Sequence, residues 1–182
     1  MTDALAERDG LSEPLRVLLK EYPREAWEAD PAFSDLIRFW LERHAMFREI
    51  CVALVDLLEG HLDGRTDPQR TAPNLSRYGN TLLGGLHEHH HIEDEHYFPR
   101  LIPMEPRLEH AFQILDADHH DLAERLEHTA MAANAVLRAT DDRRAVDKAL
   151  VEVRLLQALL HRHLWDEEEV VVPVLLKHGL DA

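Results

Sequence analysis

Apolar positions along this chain recur every three to four residues, and nowhere do they alternate as a strand requires. In the segment Ser34–Gly60 the stripe runs Ile37, Leu41, His44, Phe47, Cys51, Val55 and Leu58, one face of a long helix. A shorter leading helix is predicted over Leu11–Tyr22, with Pro14 tolerated in its first turn, and Asp30-Pro31 marks a boundary after it. The stretch His61–Pro73 is rich in turn residues and reads as a connector. A second long helix follows from about Asn74 to Phe98, stopped by Pro99, and Pro103 and Pro106 close a short loop. The third spans about Arg107–Ala139. The fourth spans about Asp142–Val172, with Asp141-Asp142 at its capping end, Pro173 interrupting or kinking it and Gly179 ending the tail. The expectation is an all-α protein: an N-terminal extension with a short helix over residues 1–30, then an up-down-up-down four-helix bundle over residues 31–182.

Composition narrows the possibilities. The chain has 182 residues, of which 45% are hydrophobic, enough for a sizeable core. Its formal net charge of −15 argues against nucleic acid and against an anionic membrane surface as partners. The single cysteine forbids an internal disulfide and suits a reducing compartment. The acidic start MTDALAERDG lacks the apolar run of a signal peptide, and no segment has the length of a membrane span, so a cytoplasmic location is expected.

The candidate chemistry lies in a repeat. Leu86–Leu101, LHEHHHIEDEHYFPRL, and Leu160–Leu175, LHRHLWDEEEVVVPVL, match at Leu86/Leu160, His87/His161, His89/His163, Glu93/Glu167 and Pro99/Pro173. Each copy puts a Glu four residues after a His, so imidazole and carboxylate share a helix face. His90/Asp94 and His91/Glu95 have the same spacing, but in the second copy only His163 does, and its distance to Pro173 equals that of His89 to Pro99. His89 is therefore selected, with Leu82, Leu86 and Ile92 placing it on the apolar face. The same register draws in His44 and His119 from the first helix of each hairpin, and His119 is preferred to His120 because Phe112, Leu115, Leu122 and Leu126 share its stripe. At about 1.5 Å per residue, His44 and His119 lie roughly 15–20 Å into their helices, and the four HxxxE ligands roughly 8–14 Å back from the prolines. In antiparallel hairpins those levels coincide. His44, His89, Glu93, His119, His163 and Glu167 then form one set of four imidazoles and two carboxylates. Such donors suit iron, manganese or zinc, the two Glu are able to bridge a metal pair, and six ligands leave coordination positions open.

Around this set, His87 and His161 point away from the site; His90, His91 and His96 are read as a solvated face. Glu88, Asp94, Glu168 and Glu169 are read as charged surface, Tyr97 as pocket lining or core, Cys51 as a small core residue, and Asp166 as an outer partner of the ligands.

From about Ser34 to Val174, the pattern His44…His89-x3-Glu93…His119…His163-x3-Glu167 resembles the hemerythrin-like, HHE cation-binding family. The resemblance implies a four-helix bundle holding a non-haem di-iron centre, with dioxygen, nitric oxide or peroxide as the small ligand. The family's oxygen carriers add a second His one turn after the third-helix ligand and end on an Asp ligand, where this chain has Ala123 and Glu167. That departure points to a carboxylate-richer, exchangeable site with peroxide or dioxygen chemistry rather than a reversible oxygen carrier. Peroxide decomposition, iron storage or sensing without catalysis, and a metal-free structural bundle remain the alternative roles. The sequence leaves the oligomeric state open.

Overall fold

The computed structural model describes residues 3–180, and among them the only regular structure is helical. Four long helices carry the chain: α1 (Asp35–Leu62), α2 (Pro68–Ile92), α4 (Glu109–Arg138) and α5 (Arg143–His178), with a one-turn α3 (Phe98–Leu101) between the second and third of them. Their starts follow the capping chemistry. Ser34 Oγ accepts the Ile37 N–H, Asp67 accepts the Gln69 N–H ahead of Pro68 at the first helical position, and Asp142 accepts the Arg144 N–H. At the other end of α5, Gly179 takes φ +71° and returns its N–H to the Leu175 carbonyl.

Three expectations shift. The leading helix is not α-helical; the segment forms two 3-10 stretches, Glu13–Lys20 and Arg24–Ala29, with Arg16 out of helical geometry at φ −134° and ψ 41°. The second helix starts within the supposed connector, at Pro68, and does not stop at Pro99. Its backbone widens into a π-helical turn over Glu93–Tyr97, in which the Phe98 N–H reaches the Glu93 carbonyl, and continues through α3. The wider turn relieves the clash that a proline ring makes with the preceding turn. In α5, Pro173 sits inside the helix, which runs on to His178. The residues Val170–Val172 and Val174–Leu176 are all buried, and this burial outweighs the roughly 3 kcal/mol that an interior proline costs.

Two compact units divide the chain. One comprises the described residues up to Ala45, His90–His119 and those from His161 onward. Its core joins Leu11, Leu18 and Trp27 of the N-terminal segment to Ile37, Phe98, Phe112, Leu115 and the α5 valines. The other comprises Met46–His89 and His120–Leu160. Phe47, Leu54, Leu58, Leu75, Leu82 and Leu86 are buried there, with Leu122, Val136, Val153 and Leu156. Gly85 lets Phe47 seat closely, since a Cβ would stand 3.0 Å from its Cε1. Cys51 is buried, and its thiol is pushed up to about 12 by burial, so it is the inert core residue expected. No helix among the described residues is long and apolar enough to cross a membrane.

Candidate metal centre

Most of the candidate ligands lie in the first unit. His44, Glu93, His119, His163 and Glu167 are all buried, His44, His163 and Glu167 to 0% exposure. His89, one turn before Glu93 on the same helix, is half-buried with its ring 5.4 Å from that of Phe47. Within the first unit, His44, Glu93 and Glu167 each offer a ligand atom within 4.8 Å of the others. Glu167 Oε2 stands 3.7 Å from His44 Nε2 and 3.4 Å from His163 Nε2, so this carboxylate lies between imidazoles of α1 and α5. Glu93 Oε2 stands 3.6 Å from His119 Nε2.

A fifth imidazole joins them. His90, read from the sequence as part of a solvated face, is buried, and its ring stacks on His119 at 4.1 Å and 9°. His90, His119 and His163 form a second group whose ligand atoms lie within 4.8 Å of one another. The periodicity contained this signal: Leu82, Leu86 and His90 are spaced by four and all are buried, whereas Ile92 is exposed. His91, His96 and His120 are exposed, as are His87 and His161.

Three of these imidazoles meet a carboxylate at Nδ1. His44 Nδ1 lies 3.0 Å from Glu168 Oε1, His119 Nδ1 lies 2.8 Å from Asp94 Oδ1, and His163 Nδ1 lies 3.2 Å from Asp118 Oδ2. This arrangement orients a ring and places the proton on Nδ1, leaving Nε2 as the donor for a metal. Asp94 and Glu168 are therefore not bare surface charges, and Glu168 and Glu169 are both buried. Asp118, which the sequence reading did not single out, is a central outer partner. Asp166 is buried but does not touch a ligand directly; it accepts from Arg8, Arg162 and the Leu11 N–H. Tyr97 packs edge-on against Trp40 at 4.8 Å, and Trp40 Nε1 donates to Glu167 Oε1 at 2.8 Å.

The electrostatics call for a cation. Burial raises the Glu93 carboxyl well above the usual carboxylate range, and the neighbouring Glu167 and Asp94 push it further. Burial alone would lower His163, yet Asp118 and Glu167 outweigh it and lift the imidazole to about 9. The Nε2 atoms of His119 and His163 are buried without a hydrogen-bond partner among the described residues. An imidazole nitrogen facing a buried carboxylate needs a proton or a metal ion between the two, and imidazoles and carboxylates converging in this way are a donor set that fits a metal.

The sequence profile of the hemerythrin HHE cation binding domain matches residues 35–175. No curated protein and no solved structure matches the chain.

Proposed function

Because the chain belongs to the hemerythrin HHE cation-binding domain family, we propose that its buried His/Glu cluster holds a pair of non-haem iron ions and binds or turns over a small oxidant: dioxygen, peroxide or nitric oxide. The observation that carries the reading is the pair of buried, unpartnered Nε2 atoms on His119 and His163 facing Glu93 and Glu167. In this reading His90, His119 and His163 would serve one ion and His44 and His89 the other, with Glu93 and Glu167 shared; the approach of Glu93 to His119 and of Glu167 to both His44 and His163 supports the sharing. The four long helices are taken as the up-down-up-down bundle that family membership implies. Manganese or zinc would suit the same donors, though zinc offers no redox chemistry.

Bound iron would supply one-electron redox chemistry and open coordination positions, because five imidazoles and two carboxylates fall short of two octahedral shells. The chain's own residues do the rest. Glu168, Asp94 and Asp118 hold the protons on Nδ1 of His44, His119 and His163, keeping each Nε2 turned inward. Trp40 holds one oxygen of Glu167 by its indole N–H, leaving the other oxygen facing His44 and His163. The loss of an imidazole at Ala123 is compensated by His90 from α2, so the site is richer in nitrogen than the sequence pattern implied.

Anaerobic loading with iron(II), metal analysis and an absorption spectrum after exposure to air test this. The expected outcome is about two irons per chain with near-ultraviolet charge-transfer bands. Protein that emerges without metal refutes the reading. Oxygen evolution on adding peroxide to the loaded protein distinguishes turnover from binding.

A further inference from the structure

The N-terminal segment precedes residue 35, where the family match begins, yet it reaches the ligands through arginines. The buried Arg8 lies between two carboxylates. Its Nη1 and Nη2 both donate to Asp118, and its Nε donates to Asp166 at 2.8 Å. The Asp118 oxygen that takes Nη2 is also the one facing His163 Nδ1. Sixteen residues on, Arg24 Nη1 meets Glu168 Oε2 at 2.5 Å, while the other oxygen of Glu168 faces His44 Nδ1. The Arg24 guanidinium is itself fixed over two indoles, 4.6 Å from Trp27 and 3.9 Å from Trp165. Two separate rows thus have the same order: arginine of the segment, buried carboxylate, ligand imidazole.

We propose that this segment is an arginine clamp on the metal centre, in which Arg8 acts through Asp118 on His163 and Arg24 acts through Glu168 on His44 as positioning residues. The inference rests on the metal-binding reading above. Its physical basis is twofold. A carboxylate that accepts from an imidazole N–H fixes the ring and raises its donor strength, and a guanidinium on that carboxylate fixes it in turn and draws off part of its charge. The geometry suits arginine rather than lysine. Arg8 holds both oxygens of Asp118 and reaches Asp166 with its third nitrogen, a pattern a single ammonium is unable to reproduce.

The test uses the full chain loaded with cobalt(II), whose visible bands report the ligand field. Affinity is measured by competition with a chelator and folding by melting of the metal-free protein. Arg8→Ala, Arg8→Lys and Arg24→Ala are compared with Arg125→Ala, which removes an ion pair to Glu152 within the second unit. In Arg8→Ala the affinity is expected to fall about 10–100-fold, the range for loss of an outer partner of a metal ligand, with shifted cobalt bands. Arg8→Lys should fall between that variant and the wild type, Arg24→Ala should weaken binding through His44, and Arg125→Ala should bind as the wild type does. In a cycle with Asp118→Asn, the losses from Arg8→Ala and Asp118→Asn should be far from additive. If Arg8→Ala does not fold, Arg8→Lys and the Asp118 variant carry the comparison. Lowered melting temperatures with unaltered affinity and bands would make the arginines merely structural and overturn the clamp. Wild-type protein that binds no cobalt overturns the clamp and the metal reading together.

Discussion

At the scale of single residues, burial sorts the crowded run HEHHH: His90 is buried, His89 half-buried, and His87 and His91 exposed. The repeat selected His89 and set His90 and His91 aside together, and His90 has Leu164 as its counterpart in the second copy. Comparing the copies therefore argued against it, although Leu164 is itself fully buried and marks the same inward position. A repeat identifies what two segments share; it is silent on a buried imidazole supplied by one of them. His90→Ala should weaken iron retention by more than the roughly 10–100-fold typical of an outer partner, because its ring lies with His119 and His163. The exposed His91, changed to Ala, should leave retention as it is. Equal retention by the two variants in dialysis against a chelator would remove His90 from the site. Asp94 and Asp118 were invisible for a related reason: an outer partner needs only one carboxylate near one Nδ1, and no spacing along the chain encodes that.

The long helices were read to within a few residues at most ends, because capping residues and the apolar period act locally. The prolines misled, since Pro99 and Pro173 lie within helical runs that burial and a π-helical turn sustain. One element end gives a pH-dependent prediction. Glu105, in the turn before α4, meets Arg107 at 2.5 Å, Lys177 at 2.7 Å and His178 at 3.5 Å, tying that turn to the last turn of α5. Its hydrogen bond to Arg107 and those to Lys177 and His178 hold its carboxyl at about 2, against an ordinary 4.5. The folded value is the lower one, so the carboxylate stabilises above pH 4.5 and that contribution is lost as pH falls from 4.5 towards 2. Because Arg107 is 56% exposed, the effect is discounted to about 1 kcal/mol. Glu105→Gln should lower the melting temperature at pH 7, and the gap to wild type should narrow steadily below pH 4. A gap that is constant with pH would show that the ion pairs contribute nothing to folding.

On the scale of the whole molecule, the excess of negative charge has a structural location. Glu93, Asp118, Asp166, Glu167, Glu168 and Glu169 are all buried, in a chain whose formal net charge is −15. The sequence reading treated Glu168 and Glu169 as surface because α5 alone offers a solvated side there. The N-terminal segment occupies that side, with Arg24 on Glu168 and Arg16 on Glu169. Arginines thus compensate the outer acids, whereas the inner pair, Glu93 and Glu167, faces the imidazoles of His119 and His163, with the Trp40 indole N–H on Glu167. A cation bound only by the folded chain stabilises it by mass action, about 2.7 kcal/mol at a free concentration one hundred times the dissociation constant. For a chain of this size that amounts to a rise on the order of 5–10 °C in melting temperature. Loading with iron(II) under nitrogen should produce this rise, and zinc or manganese should produce it in part, since charge neutralisation needs no redox chemistry. Glu93→Gln relieves the like-charge crowding without a metal, so the metal-free variant should melt higher than the metal-free wild type and gain less on loading. Melting curves of both proteins, with and without metal, separate the two effects. If the metal-free variant melts at or below the wild type, crowded carboxylates are not what the cation relieves.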